Sequence, residues 1–94
     1  MDMDAFPPGQ WVVYILRCGD DSLYTGVTNN LAKRINEHVQ GTGARYTRSH
    51  LPVNLAYVEL VEGKSQALKR EIAIKRLPRA QKLVLLMIGS QKGE

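Results

Sequence analysis

WVVYILRCGDDSLYTGV, residues 11–27, consists of two apolar runs set around a Gly-Asp-Asp-Ser turn. Trp11 to Cys18 is β-branched and aromatic, the composition that packs on a pleated surface, and predicts a strand. Gly19 to Ser22 is turn chemistry, and Leu23 to Val27 returns as the second arm of a hairpin. Tyr14 and Tyr24 stand one on each arm. They share a face if the loop holds an odd number of residues, as Asp20 to Ser22 would, and oppose each other if it holds two or four. Gly26 allows another group to approach the backbone closely.

Downstream, Asn29 or Asn30 caps a helix running through Val39, with Leu31 and Ile35 four apart on its buried side. Residues 40–52 (QGTGARYTRSHLP) read as a long surface loop. Val53 to Val61 alternates as a third strand, with Leu55, Tyr57 and Glu59 on one face and Ala56, Val58 and Leu60 on the other. Ser65 caps a second helix to about Leu77. Pro78 suits the first turn of a third, where its missing N–H costs nothing, and Gly89 is placed to end it. The expected fold is α+β: a small three-stranded antiparallel sheet flanked by three helices, in the order β-β-α-β-α-α. Residues 1–10, with Pro7-Pro8-Gly9, form a flexible arm, 11–89 a single domain, and 90–94 a frayed tail.

Ninety-four residues bound the answer to one domain with a small core. An apolar fraction of 44% and a charged fraction of 23% are those of a chain that folds. The one cysteine, Cys18, excludes an intrachain disulfide and a CxxC zinc site, and reads as an apolar filler. The acidic start lacks the basic and apolar regions of a signal peptide, and the longest apolar run, Leu83 to Ile88, is too short for a bilayer. The expectation is a cytoplasmic chain without membrane contact. Charge is uneven. Between Lys33 and Lys82 eleven cationic residues face four acids, a formal +7, while the two ends together carry −3. A polyanion is the natural partner for such a middle, because binding phosphates releases counterions. A solvated helix surface is the plain alternative.

Several residues fit a plain domain poorly. Glu71 falls within or beside the apolar stripe of Ala67, Leu68 and Ile74, where a carboxylate must pair, protonate or hold a metal. An i,i+4 pair with Lys75, worth roughly 0.2–0.5 kcal/mol, is the simpler account. Arg34 and His38 stack one turn apart on the first helix. A guanidinium there suits a phosphate, and an imidazole can hydrogen-bond one or move a proton. A solvated Arg and a helix-terminal His would give the same spacing.

The order of these residues carries more than any one of them. Val13-Tyr14-Ile15, then Tyr24-Thr25-Gly26, then Arg34, His38 and Glu71 resembles the GIY-YIG nuclease superfamily. Over residues 11–86 the text is similar to its short stand-alone branch, uncharacterised-protein family 0213, related to the catalytic domain of structure-specific endonucleases. The resemblance implies a three-stranded sheet wrapped by helices and a metal-dependent DNA endonuclease with Mg²⁺ (or Mn²⁺). In that reading a water attacks the scissile phosphate, on repair or recombination structures among others. Glu71 would hold the metal, Arg34 would steady the charge developing on the phosphate, and His38 would assist. Tyr14 or Tyr24 would act on the water, and the resemblance does not choose between them. The sequence departs from the family at Val12, Val13 and Thr25, which are backbone and packing positions. It departs also at 78–82 (PRAQK), where many catalytic members carry an Asn and Gln81 is the available substitute. The larger relatives' added modules have no counterpart in these residues.

A rival reading is a nucleic-acid-binding module, for DNA or RNA, with weak or no catalysis. Arg45, Tyr46, Arg48 and His50 would then grip phosphates, with Tyr46 stacked on a base. An adaptor that touches no nucleic acid would leave the basic middle unexplained.

Overall fold

The computed structural model describes residues 5–92. Strands β1 (Val12–Cys18), β2 (Leu23–Thr28) and β3 (Val53–Leu60) form one antiparallel sheet in the order β2-β1-β3. The helices are α1 (Leu31–Val39), α2 (Arg45–Arg48), α3 (Lys64–Lys75) and α4 (Arg79–Lys92). The expected α+β fold and element order hold, with one short helix more than the sequence reading provides.

β1 is central and covered on both faces, and so it is apolar along its length rather than alternating. Val12, Tyr14 and Leu16 face α1, in a core with Leu31, Val53 and Val58. Val13 and Ile15 face α3 and α4, in a core with Tyr57, Ala67, Ile74 and Leu86. All five of these β1 residues are at most 1% exposed. The hairpin loop has odd length. Tyr14 pairs with Gly26 and Leu16 with Tyr24, and the turn closes through Cys18 N–H to Ser22 O and Asp21 N–H to Cys18 O. Asp21 takes the left-handed conformation that a three-residue hairpin needs at its last position, φ 68°. Tyr14 and Tyr24 therefore lie on one face.

Four expectations are corrected. Leu55 and Tyr57 do not share a face: Leu55 pairs with Leu16 and Tyr57 with Ile15, so Ala56 is a bulge residue and reverses the parity of the strand. Residues 40–52 are not a bare loop, because Arg48 N–H bonds Ala44 O and closes α2, while Thr47 is fully buried. α3 is entered at Gly63, an accepted N-cap, rather than at Ser65. Finally, α4 runs through Gly89 to Lys92, since one helical glycine costs only about 1 kcal/mol.

At the other end, part of the expected arm is tied down. Phe6 packs against the α1-side core, Gly9 N–H bonds Asn29 O, and the Gln10 amide donates to Val61 O. The rest of that arm, residues 1–4, and the last two residues of the tail lie outside the described residues. The Asn30 cap is as expected, its side chain accepting from Lys33 N–H at 3.2 Å. Among the described residues no helix is long and apolar enough to cross a membrane.

The two-faced burial of β1 predicts a contrast. Ile15→Ala should cost about 2–5 kcal/mol of unfolding free energy, whereas Leu60→Ala, at a strand end 57% exposed, should stay within about 0.5 kcal/mol. Urea denaturation of the two variants measures both.

Candidate active site

α1 lies across the sheet so that His38, in its last turn, is pushed onto Tyr14 and becomes fully buried. The Tyr14 hydroxyl and His38 Nε2 are 2.8 Å apart. On its other side His38 Nδ1 is 2.8 Å from Thr47 Oγ1, and Thr47 Oγ1 donates to Ala44 O at 2.9 Å. The proton assignment follows. Thr47 has spent its hydrogen on Ala44, so it accepts from Nδ1–H; Nε2 is then bare and accepts from the Tyr14 hydroxyl. His38 is a neutral imidazole held in one tautomer. Burial, with the Arg34 charge, moves its pKa below the ordinary 6.5. Burial pushes the Tyr14 phenol up to about 12, although the nearby Arg34 guanidinium works in the opposite direction.

Two glycines leave room for this chain of bonds. A Cβ on Gly26 would sit 2.5 Å from the Tyr14 hydroxyl, and one on Gly43 would sit 2.5 Å from His38 Nδ1. Both distances are shorter than any real contact.

Around the chain, the other sequence-derived candidates fall into two groups. Arg34 is half-buried, 3.1 Å from Glu37. Tyr24 leans on His38, with ring centroids 5.4 Å apart. Glu71 of α3 is only 19% exposed at its side chain and pairs with Lys75 at 3.4 Å, so the simple ion pair exists; its charge also raises the Tyr14 pKa. Tyr14, Tyr24, Arg34, His38 and Glu71 thus belong to one neighbourhood. α2 carries the second group. Tyr46 stacks on Tyr24 at 6.2 Å and on His50 at 4.0 Å with an interplanar angle of 6°, while Arg45 and Arg48 are exposed. Gln81 is exposed in the first turn of α4.

Sequence reasoning missed Thr47 and Gly43. Nothing local marks Thr47 among the polar residues of its loop; its role appears only when α1 brings His38 over it. For a metal, no group of three or more His, Cys, Asp or Glu side chains converges among the described residues. The residues present fit an ion held by one carboxylate, Glu71, with waters and phosphate oxygens filling its other positions, a common arrangement for Mg²⁺.

Comparison with known proteins is consistent across sequence and structure. Residues 10–83 match the GIY-YIG catalytic domain. The chain is 56% identical over 82 residues to a UPF0213 protein of Clostridium perfringens, covering 87% of this chain and 88% of that protein. It is 49% identical to one of Oceanobacillus iheyensis, covering 88% and 96%. The solution NMR structure of a UPF0213 protein from Bacillus halodurans superposes with a TM-score of 0.55 at 38% identity, over 84% of each chain. The solution NMR structure of a protein from E. faecalis gives 0.56 at 41%, over 81% of each chain.

The bonding order predicts that at neutral pH the ¹⁵N spectrum of His38 shows a protonated Nδ1 and a bare Nε2; the opposite tautomer would contradict it. Stability should follow the same group. Unfolded His38 takes a proton near its ordinary pKa and the folded residue only below it, so stability is full above about pH 6.5 and falls as the solution is acidified. Thermal melts at pH 7.5 and 5.5 should show this loss in the wild type and a smaller one in His38→Gln. Gly26→Ala should lose about 1–3 kcal/mol from overpacking against Tyr14, read by denaturant titration.

Proposed function

This chain belongs to the GIY-YIG family, and from that premise we propose that it is a divalent-metal-dependent endonuclease hydrolysing phosphodiester bonds of DNA. The observation that carries the reading is the hydrogen-bond chain from Tyr14 through His38 to Thr47. A phenol with a pKa near 12 is not a standing base at neutral pH. It can still relay a proton, because its own hydrogen already points at a neutral imidazole. As the water oxygen bonds to phosphorus, the water gives a proton to the Tyr14 oxygen and Tyr14 passes its own to His38 Nε2. The bond from phosphorus to the leaving oxygen breaks in the same displacement; that oxygen leaves with the bonding pair and takes a proton from solvent, and His38 returns the relayed proton to solvent through Tyr14. Of the two tyrosines, this hydrogen bond favours Tyr14 as the group that acts on the water. Tyr24, ring-packed on His38 and Tyr46, is then a wall that orients the substrate.

Arg34 supplies fixed positive charge beside the Tyr14 oxygen, where the phosphate's charge grows during attack. Mg²⁺ or Mn²⁺ bound at Glu71 would neutralise charge on the phosphate and leaving oxygens. Arg45 and Arg48, exposed on α2, fit backbone phosphates farther along the strand, beside Tyr46 and His50. Branched or damaged DNA from repair and recombination is the substrate range this reading favours. A second reading, binding to nucleic acid with little or no turnover, is favoured by one observation: Gln81, where many catalytic relatives carry an Asn, is exposed at the start of α4.

Plasmid and branched-DNA cleavage with Mg²⁺ or Mn²⁺ tests the proposal. The wild type should cut, EDTA and Glu71→Ala should reduce cutting to background, and Arg34→Ala should slow it by about 10²–10³-fold. Intact DNA on every substrate, retarded in a gel all the same, would leave only the binding reading.

A further inference from the structure

Residues 40–50 leave α1, turn back and close under His38. Gly41, in the left-handed region at φ 81°, reverses the chain, and its N–H bonds His38 O at 3.1 Å. Gly43 then passes so near the imidazole that a Cβ there would lie 2.5 Å from Nδ1 and 2.9 Å from Cγ. The α2 turn follows and is fastened at both ends. Arg48 N–H bonds Ala44 O at 3.1 Å, His50 N–H bonds Thr47 O at 3.1 Å, and Gly19 N–H, just past β1, bonds His50 O at 2.8 Å. Thr47, fully buried on this turn, is thereby fixed relative to the sheet.

The direction of its hydrogen bonds matters more than the contact itself. Ala44 O accepts both Arg48 N–H and the Thr47 hydroxyl, which a carbonyl oxygen can do with its two lone pairs. Thr47 Oγ1 is left only as an acceptor toward His38 Nδ1, 2.8 Å away. In the opposite tautomer Thr47 would have to turn its hydrogen from Ala44 O onto a bare Nδ1, and Nε2–H would donate to the Tyr14 oxygen. The two arrangements pack the same rings and differ in chemistry. With Nε2 protonated, Tyr14 has nowhere on His38 to pass a proton. A methyl group in place of the Thr47 hydroxyl would leave Nδ1–H buried without an acceptor, which is costly. The imidazole avoids that cost by carrying its hydrogen on Nε2.

We infer that Thr47 is a positioning residue of the hydrolysis: it acts through His38, keeping Nε2 bare toward the Tyr14 hydroxyl, and meets neither water nor phosphate itself. The inference rests on the endonuclease reading above and deepens it, since a proton relay needs a direction as well as a set of contacts. The turn that carries Arg45 and Arg48 at the surface thereby also supports the reacting centre from beneath.

Tautomer and turnover are read on the same proteins. Long-range ¹H–¹⁵N spectra at neutral pH should show Nδ1–H on His38 in the wild type and in Thr47→Ser, and Nε2–H in Thr47→Val. With Mg²⁺ and a DNA that the wild type cuts, Thr47→Val should lower kcat by about 10²-fold. KM should change little, because the residue makes no substrate contact, and Thr47→Ser should cut like the wild type. A residue that only stabilised the fold would lower the melting temperature and leave the His38 tautomer and kcat as they were; that result overturns the inference. Two readings do not need the valine variant to fold. Nε2–H on wild-type His38, or a folded Thr47→Ser that no longer cuts, overturns it as well. Should the wild type cut and Glu71→Ala not, while Thr47→Val keeps the wild-type rate, the endonuclease reading stands and only the role of Thr47 falls. A wild type that cuts no DNA removes both.

Discussion

A phenol in the middle of a three-stranded sheet must find a partner for its hydroxyl. Tyr14 occupies the central strand between Val13 and Ile15, both fully buried, where an unpaired hydroxyl would cost about 1–3 kcal/mol. Much of the remaining architecture answers that need. α1 is angled to deliver His38, and residues 40–52 fold back to deliver Thr47. The polar line ends on a backbone carbonyl at Ala44. No described buried side-chain polar atom is left without a partner. A buried polar line of this kind is worth keeping only when every member is satisfied, and then it also fixes one arrangement of protons.

The framework of the fold was legible because its signals are local. Two apolar runs about a Gly-Asp-Asp turn predict a hairpin, and Asn30 followed by Leu31 and Ile35 predicts a capped helix. What escaped the sequence depends on tertiary pairing. The bulge at Ala56 arises from how β3 meets β1, and an alternating pattern cannot announce where its parity will break. α2 is a single turn stabilised by burying Thr47 beneath His38, a contact nine residues long in sequence and invisible to periodicity. For the site, the order of Tyr14, Tyr24, Arg34, His38 and Glu71 gave the residues through family resemblance. Their mutual contacts needed distances, since only the bond from Tyr14 to His38 distinguishes one tyrosine from the other.

The placement of charge follows the topology as well. β2 is the outer strand on its side of the sheet, and helices from both faces reach its edge, so residues far apart in sequence meet there. Arg79 bonds Asp21 O at 2.8 Å, which fastens the start of α4 to the hairpin turn and brings Lys82 to the same edge. On the opposite side of the molecule, Glu59 accepts both Arg70 Nε at 2.7 Å and Arg70 Nη2 at 3.0 Å, beside the Tyr57 hydroxyl. Those charges are matched internally, as are Lys75 by Glu71 and Arg79 by Asp21, whereas Arg45 and Arg48 of α2 stand exposed.

Gly26 and Gly43 flank the Tyr14–His38–Thr47 hydrogen-bond chain without contributing a single side-chain atom to it. The hydrogen-bond chain is therefore bounded on two sides by bare backbone, and its dimensions are set by main-chain geometry rather than by replaceable groups. Surface side chains elsewhere can change without touching this line of bonds. The spacing between phenol and imidazole has no such freedom, because any change at either glycine adds matter where none fits.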